Sequence, residues 1–357
     1  MKNACIVIRN KRDRLDGEGF EKIIEALLDG GCNADKVFLL SEEDSHEFAQ
    51  TVIECKNFFD NVLLVAKETL LSSLRTRACE LWKVSPAEGP IEADRKALFC
   101  LPEGEKGAAL VRAEVLPYLY EKHSFRRDKQ VVRAVGVPAD KLEAVLAEAR
   151  SRGGGFEYNV QNKDGDIRIE ISFDASVSKM QADEVLQLFV SSLNEYVYAI
   201  DDTPLARRVY ELLKLRSFML GVAESFTGGG VVSRLIEIPG ASEVVYEGIV
   251  AYANGSKMRR LGVTAQTLEK QGAVSDETAY EMAVGLLERG NCSVAVATTG
   301  IAGPASDGTS KPVGLNYIAV GTKESVFVYK YIFKGDRRAI TARAINQALF
   351  LIYKLIK

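Results

Sequence analysis

GVAESFTGGG, residues 221–230, is the stretch that decides how this chain is read. Phe218, Met219 and Leu220 precede it as an apolar run, and Val231, Val232, Leu235 and Ile236 follow at helical spacing. The pattern predicts a strand ending at Glu224-Ser225, a glycine turn and a helix start. It puts Ser225 at the carboxyl end of a strand. It also aims the N–H groups of Thr227, Gly228 and Gly229 outward from the helix N-terminus, where they would meet an anion or a developing oxyanion. Glycines there let a ligand approach the backbone closely. A plain turn with a Ser or Thr cap fits the same residues, and the neighbouring sequence has to decide between the two.

The neighbouring sequence is regular. Thr203 should cap a helix over 204–214 with Pro204 at its first position. Strand 218–224 leads into the Ser225 turn, and helix 228–237 ends at Pro239-Gly240. Strand Val244–Tyr252 runs into Asn254-Gly255-Ser256-Lys257, and a short helix precedes GAVS. Ser275 should cap 276–289, with Asp276 and Glu277 in the first turn. SVAVATT, 293–299, is continuously apolar and reads as a central strand. A glycine-rich loop, 300–314, a hairpin and a helix from Arg337 finish the chain. That helix repeats Ile340, Ala344, Ile345, Ala348, Leu349, Ile352 and Leu355 at core spacing.

Polar groups gather at the ends of these strands. They are Glu224, Ser225, Thr227, Gly228 and Gly229, then Tyr252 and Lys257, then Thr299, Gly300, Ala302 and Gly303, with Arg337 at the last helix start. Carboxyl ends of strands form the ligand crevice of α/β sheets. The set suits a phosphorylated ligand, held by main-chain N–H groups and an arginine fork. Ser225 would serve as a nucleophile only with a base. Both histidines, His46 and His123, lie before the C-terminal third, so no Ser-His-Asp site can be built within it. The local bases are Lys257, Tyr252 and Glu224, and a Ser-Lys pair is an established substitute for Ser-His. No metal-ligand cluster occurs in this third, so metal-independent chemistry without a cofactor is expected.

The remainder divides in two. Residues 1–125 alternate strands (Ala4–Ile8, Lys36–Leu40, Asn61–Ala66, Ala97–Leu101) with helices (Gly19–Leu28, Glu47–Phe58), the order of a mainly parallel α/β sheet. No phosphate loop occurs there, and Asp13, Asp16 and Glu18 sit among Lys11, Arg12 and Arg14 as a charged turn. Residues 126–200 read as a small β-α-β-β-α module. Its hairpin turns at Asp164-Gly165, and its layout is KH-like without G-x-x-G, so nucleic-acid binding is not expected. Residues 201–357 form the last domain.

The totals agree. The chain has 357 residues, 47% hydrophobic and 27% charged, with net charge −3, which supplies no drive toward nucleic acid or anionic membrane. No apolar run approaches the ~20 residues of a membrane span. Six scattered cysteines without a C-x-x-C pair read as reduced, buried thiols of a cytoplasmic protein.

The last domain resembles the C-terminal domain of the CinA (competence/damage-inducible) family. AESFTGG (223–229), VAYANGSKMRRLGV (250–263), GAVS (272–275), TTGIAGPASDGTSKPVG (298–314) and GDR (335–337) carry the resemblance. It implies a three-layer α/β amidohydrolase domain that converts nicotinamide mononucleotide and water to nicotinic acid mononucleotide and ammonia, a step of pyridine-nucleotide salvage. It implies Ser225 as nucleophile, Lys257 and Tyr252 assisting proton transfer, Arg337 binding or polarising the substrate, and a homodimer. The first domain is similar to the molybdopterin-binding-like domain of the family, which is associated with metal-dependent ADP-ribose pyrophosphatase activity. Here its glycine segments read LLVAKETLLSSL (63–74) and LPEGEKGAALVRAEVLPYL (101–119), without the phosphate glycines and metal carboxylates. That activity is therefore expected to be lost, leaving a structural or dimerising remnant. The competing expectation is a non-catalytic nucleotide- or partner-binding protein.

Overall fold

The computed structural model describes residues 1–10, 19–85, 89–123, 127–174, 176–305 and 310–357. The charged turn with Asp13, Asp16 and Glu18 lies outside the described residues, as does 306–309 of the glycine-rich loop. Two compact units result, Met1–Asp128 and Lys129–Lys357.

The first unit is a layered α/β domain. Its elements are β1 (Asn3–Arg9), α1 (Glu21–Asp29), β2 (Lys36–Ser41), α2 (Ser45–Phe58), β3 (Asn61–Ala66), α3 (Glu68–Trp82), β4 (Ile91–Ala93), β5 (Lys96–Pro102), α4 (Gly104–Leu110), a π turn and α5 (Leu116–His123). The sheet order is β2-β1-β3-β5-β4, parallel except for the β4–β5 pair. Period-two alternation sorts the strands between two cores. Ala4, Ile6, Ile8, Val62 and Leu64 face Phe48, Val52 and Trp82, whereas Cys5, Val7, Leu63 and Val65 face Ile23, Leu27, Val111 and Leu119. All six cysteines are free thiols, and five of them are buried.

The second unit holds two sheets. Arg127–Val135 (β6), Ala139–Ser151 (α6), Phe156–Lys163 (β7), Asp166–Asp174 (β8), Lys179–Ser192 (α7) and Val197–Ala199 (β9) form a four-stranded α+β layer of order β7-β8-β6-β9. The hairpin turns where expected, with Asp164 and Gly165 both left-handed (φ 55° and 84°). β9 is an addition to the sequence reading, and it makes the order that of a split β-α-β arrangement.

The remaining elements are α8 (Leu205–Leu215), β10 (Leu220–Glu224), α9 (Gly230–Ile236), β11 (Val245–Val250), α10 (Asn254–Ser256), α11 (Ala265–Lys270), α12 (Asp276–Arg289), β12 (Val294–Gly300), β13 (Leu315–Thr322), β14 (Val326–Ile332) and α13 (Arg337–Ile356). Their sheet has the order β11-β10-β12-β13-β14. β10 pairs in parallel with β11 and β12, and β13 and β14 add antiparallel. The continuously apolar β12 is central, as its composition requires. Helices α8, α9 and α13 cover one face and α12 the other. Pro204, not Thr203, is the cap residue of α8, which starts at Leu205 and has no side-chain cap; the Thr203 N–H instead donates to Asp201 Oδ1 at 2.9 Å.

α13 is long and apolar enough to cross a membrane by composition alone, yet 61% of its apolar window is buried within the protein, as befits a core helix. It also anchors the α+β layer. Asn346 Nδ2 donates to the carbonyls of Lys163 and Asp164 at 3.3 and 3.1 Å, in the hairpin turn.

Candidate active site

The site grows from the carboxyl ends of β10, β11 and β12. Ser225 follows β10 directly, and its N–H donates to the Thr298 carbonyl at 3.0 Å, fixing the exit of the strand. The chain then turns: the Gly228 N–H donates to the Ser225 carbonyl at 3.2 Å. Gly228 and Gly229 adopt φ of 63° and 98°, a region in which a side chain is strained. These two left-handed residues delay the helix, which starts at Gly230 instead of 228.

Lys257 enters from the chain after β11. It opens a π turn, Lys257–Leu261, behind α10. Its side chain is 1% exposed. Nζ lies 3.0 Å from Ser225 Oγ, 2.8 Å from the Ala251 carbonyl and 3.0 Å from the Tyr252 carbonyl. No carboxylate pairs with it among the described residues. Burial pushes the amine from its ordinary 10.5 down to about 8. The geometry has a chemical consequence. The two carbonyls hold two N–H groups of the amine, so the remaining position points at Ser225 Oγ. It is an N–H in the ammonium form and the lone pair in the neutral form, which could then accept the serine proton. Arg337 has no part in this shift, which burial alone accounts for.

Tyr252 meets Lys257 through its main chain. Its ring is 63% exposed, and its hydroxyl accepts from Arg337 Nη2 at 3.3 Å. Arg337 Nη1 donates to the Gly303 carbonyl at 2.6 Å, so this guanidinium ties the rim of β11 to the glycine-rich loop. Asp336 does not pair with it but caps α13, accepting from the Ala339 N–H at 2.8 Å.

Glu224 departs most from expectation. It is 0% exposed. Its Oε2 accepts from the N–H groups of Gly229 and Val231 at 3.0 and 3.2 Å, and Oε1 from Val232 at 3.1 Å. The Gly228 and Gly229 N–H groups, expected to be free for an anion, are therefore engaged. The positive end of α9 already holds a carboxylate of its own chain.

The other expected residues line the surroundings. Thr227 is buried, with its hydroxyl 2.6 Å from that of Thr298. Thr299 is buried and donates to the Ala273 carbonyl at 2.5 Å, tying β12 to the GAVS segment. Gly300 packs so closely that a Cβ would lie 2.6 Å from Asn316 Cβ and 2.9 Å from Phe226. Ala302 is buried against Phe226, Ile340 and Ala344. Gly303 is left-handed (φ 82°) and presents its carbonyl to Arg337. The structure thus brings Ser225 and Lys257 together at the centre, with Tyr252, Gly303 and Arg337 at the rim. Glu224, Thr298 and Thr299 brace it from beneath. Sequence reasoning missed the Ala251 and Tyr252 carbonyls, for which no residue letter gives a signal.

A buried serine beside a buried lysine of lowered basicity, at the carboxyl edge of a mixed sheet, defines a candidate Ser-Lys hydrolase-type site. Comparison with known proteins gives the family of the chain. Residues 202–356 match the family model for the CinA C-terminal domain. A putative competence-damage inducible protein of Caldicellulosiruptor saccharolyticus is 34% identical over 270 residues, covering 74% of this chain and 66% of that protein. A CinA-like protein of Fusobacterium nucleatum is 37% identical over 224 residues, covering 62% of this chain and 54% of that protein. Among solved structures, the competence/damage inducible protein CihA of Agrobacterium tumefaciens is 39% identical, with 43% of this chain and 94% of that chain covered and a TM-score of 0.42. The chain belongs to the CinA family. It spans about two thirds, 66%, of the length of the first of these curated relatives.

Proposed function

We propose that the second unit is an amidohydrolase that converts nicotinamide mononucleotide to nicotinic acid mononucleotide and ammonia. One observation carries the reading: Lys257 Nζ stands 3.0 Å from Ser225 Oγ, buried and without a carboxylate partner among the described residues. Neutral Lys257 takes the Ser225 proton as Oγ attacks the carboxamide carbon. The resulting tetrahedral oxyanion collapses, the C–N bond breaks, and ammonia leaves with the proton returned by Lys257. The nicotinic acid mononucleotide ester on Ser225 is then hydrolysed by water, with Lys257 again as base, which releases nicotinic acid mononucleotide.

The preference for a mononucleotide rests on the family resemblance and on Arg337, an exposed guanidinium at the rim whose fork suits a phosphate. Tyr252 assists by holding the Lys257 amine with its carbonyl, while its hydroxyl and Arg337 frame the entrance. The first unit is read as lacking pyrophosphatase activity, on its altered glycine segments. The working assembly is proposed to be a homodimer that acts on a small molecule and not on nucleic acid or membrane. The test is acid quenching during turnover followed by mass spectrometry. A nicotinic acid mononucleotide ester on the peptide containing Ser225 supports the reading, and turnover with neither that ester nor, when hydroxylamine is added, the corresponding hydroxamate would refute it.

A further inference from the structure

The buried carboxylate of Glu224 has main-chain N–H groups as its partners, and the pattern they leave behind is specific. Gly229, Val231 and Val232 donate to Glu224, Gly228 donates to the Ser225 carbonyl, and Gly230 donates to the Thr227 carbonyl at 3.0 Å. Every main-chain N–H from Gly228 to Val232 is thus engaged. The Ser225 N–H is held by Thr298. Between Ser225 and Val232, only the N–H groups of Phe226 and Thr227 have no partner among the described residues.

From this pattern we infer that Glu224 is a positioning residue, which saturates the start of α9 and leaves the N–H groups of Phe226 and Thr227 as the oxyanion donors for Ser225. This rests on the reading of Ser225 as nucleophile given above. An oxyanion hole needs donors that are fixed before the charge appears. Here they lie on the two residues that follow the nucleophile, in a turn clamped at one end by Thr298 and at the other by Glu224. Open space adjoins the turn, since a Cβ on Gly228 would have no atom within 4 Å. The same arrangement removes the attraction of the α9 N-terminus for a second anion. A substrate phosphate is then directed to the rim at Arg337 and away from the glycine turn.

Glu224→Gln tests the assignment, because the amide keeps the size and one acceptor oxygen but turns an NH2 toward one of the three N–H groups. The expected result is kcat for nicotinamide mononucleotide lower by about 10- to 100-fold, since outright loss of one oxyanion donor costs about 100- to 1000-fold and the amide only displaces it. KM should stay within about threefold, and the basic limb of the pH profile should stay at about 8, because burial alone sets the Lys257 basicity. A lower melting temperature with unchanged kcat would make Glu224 a cap only. A raised KM with unchanged kcat would make it a substrate contact. Either overturns the proposal.

A second measurement needs no variant. A fluorophosphonate forms an Oγ–P bond with Ser225 and expels fluoride, and its phosphoryl oxygen occupies the oxyanion position. In the labelled wild-type protein the Phe226 and Thr227 amide protons should move furthest downfield, and a largest shift at Gly228 or Gly229 would refute the inference. Labelling of Ser225 without deamidation removes the substrate assignment and leaves the amide shifts to decide this one. Absence of both labelling and deamidation refutes the two together.

Discussion

Replacing Lys257 by methionine keeps the length of a side chain that is 1% exposed and removes the amine. With the amine lowered from 10.5 to about 8, about a tenth of the wild-type protein carries the neutral base at pH 7. An unshifted lysine would offer about 300-fold less. Between pH 7 and pH 9 the neutral fraction rises about tenfold, so wild-type kcat should rise about tenfold and level off above pH 9. Lys257→Met should lower kcat by about 10²- to 10⁴-fold, the ordinary contribution of a positioned base, and abolish that limb.

Stability should also depend on pH. The folded state disfavours the charged amine, which costs on the order of 3 kcal/mol below pH 8 and is relieved as pH rises from about 8 to 10.5, because over that window the unfolded chain holds the extra proton. Methionine removes this cost but leaves the Ala251 and Tyr252 carbonyls without their donor, about 1–3 kcal/mol each. The denaturant-derived stability difference between the two proteins should therefore move in favour of wild type as pH rises through that window. A variant with kcat within threefold of wild type, or a wild-type limb near 10, would refute the reasoning.

Arg337→Ala removes the tie between Gly303 and Tyr252, and with it the proposed phosphate contact. It should raise KM by about tenfold or more, worth about 1.4 kcal/mol, with a smaller change in kcat, measured by steady-state ammonia release. Gly285→Ala tests the support behind Lys257. A Cβ there would overlap the Leu261 carbonyl at the end of the π turn, and backbone cannot yield as a flexible side chain does. About 1–3 kcal/mol of stability should be lost in urea denaturation, with kcat falling at temperatures where the variant is still folded.

The sequence carried much of this fold because its elements announce themselves chemically. The β-branched run at Val294–Gly300 could only be a central strand, and Ser275 with Asp276-Glu277 marks the start of Asp276–Arg289. The three-residue strands Ile91–Ala93 and Val197–Ala199 escaped, since so short a segment cannot show a period. β11 ends two residues early, at Val250, where the next two carbonyls turn to the Lys257 amine. At the site, Ser225, Lys257 and Arg337 were legible as side chains. The engagement of Gly228 and Gly229 was not, because it depends on where the Glu224 carboxylate folds back, and a Glu before a glycine turn reads equally well as a ligand or as a cap. The donors left at Phe226 and Thr227 are main-chain groups, which every residue carries alike.

The most direct test of the central claim is ammonia release from nicotinamide mononucleotide, with a chelator present and no added metal, for wild type and Ser225→Ala side by side. Release by the wild-type protein that disappears in the variant is the predicted result. Equal release from both would contradict Ser225 as the nucleophile, and none from either at saturating substrate would contradict the activity and favour a protein that binds a nucleotide or a partner without turning it over.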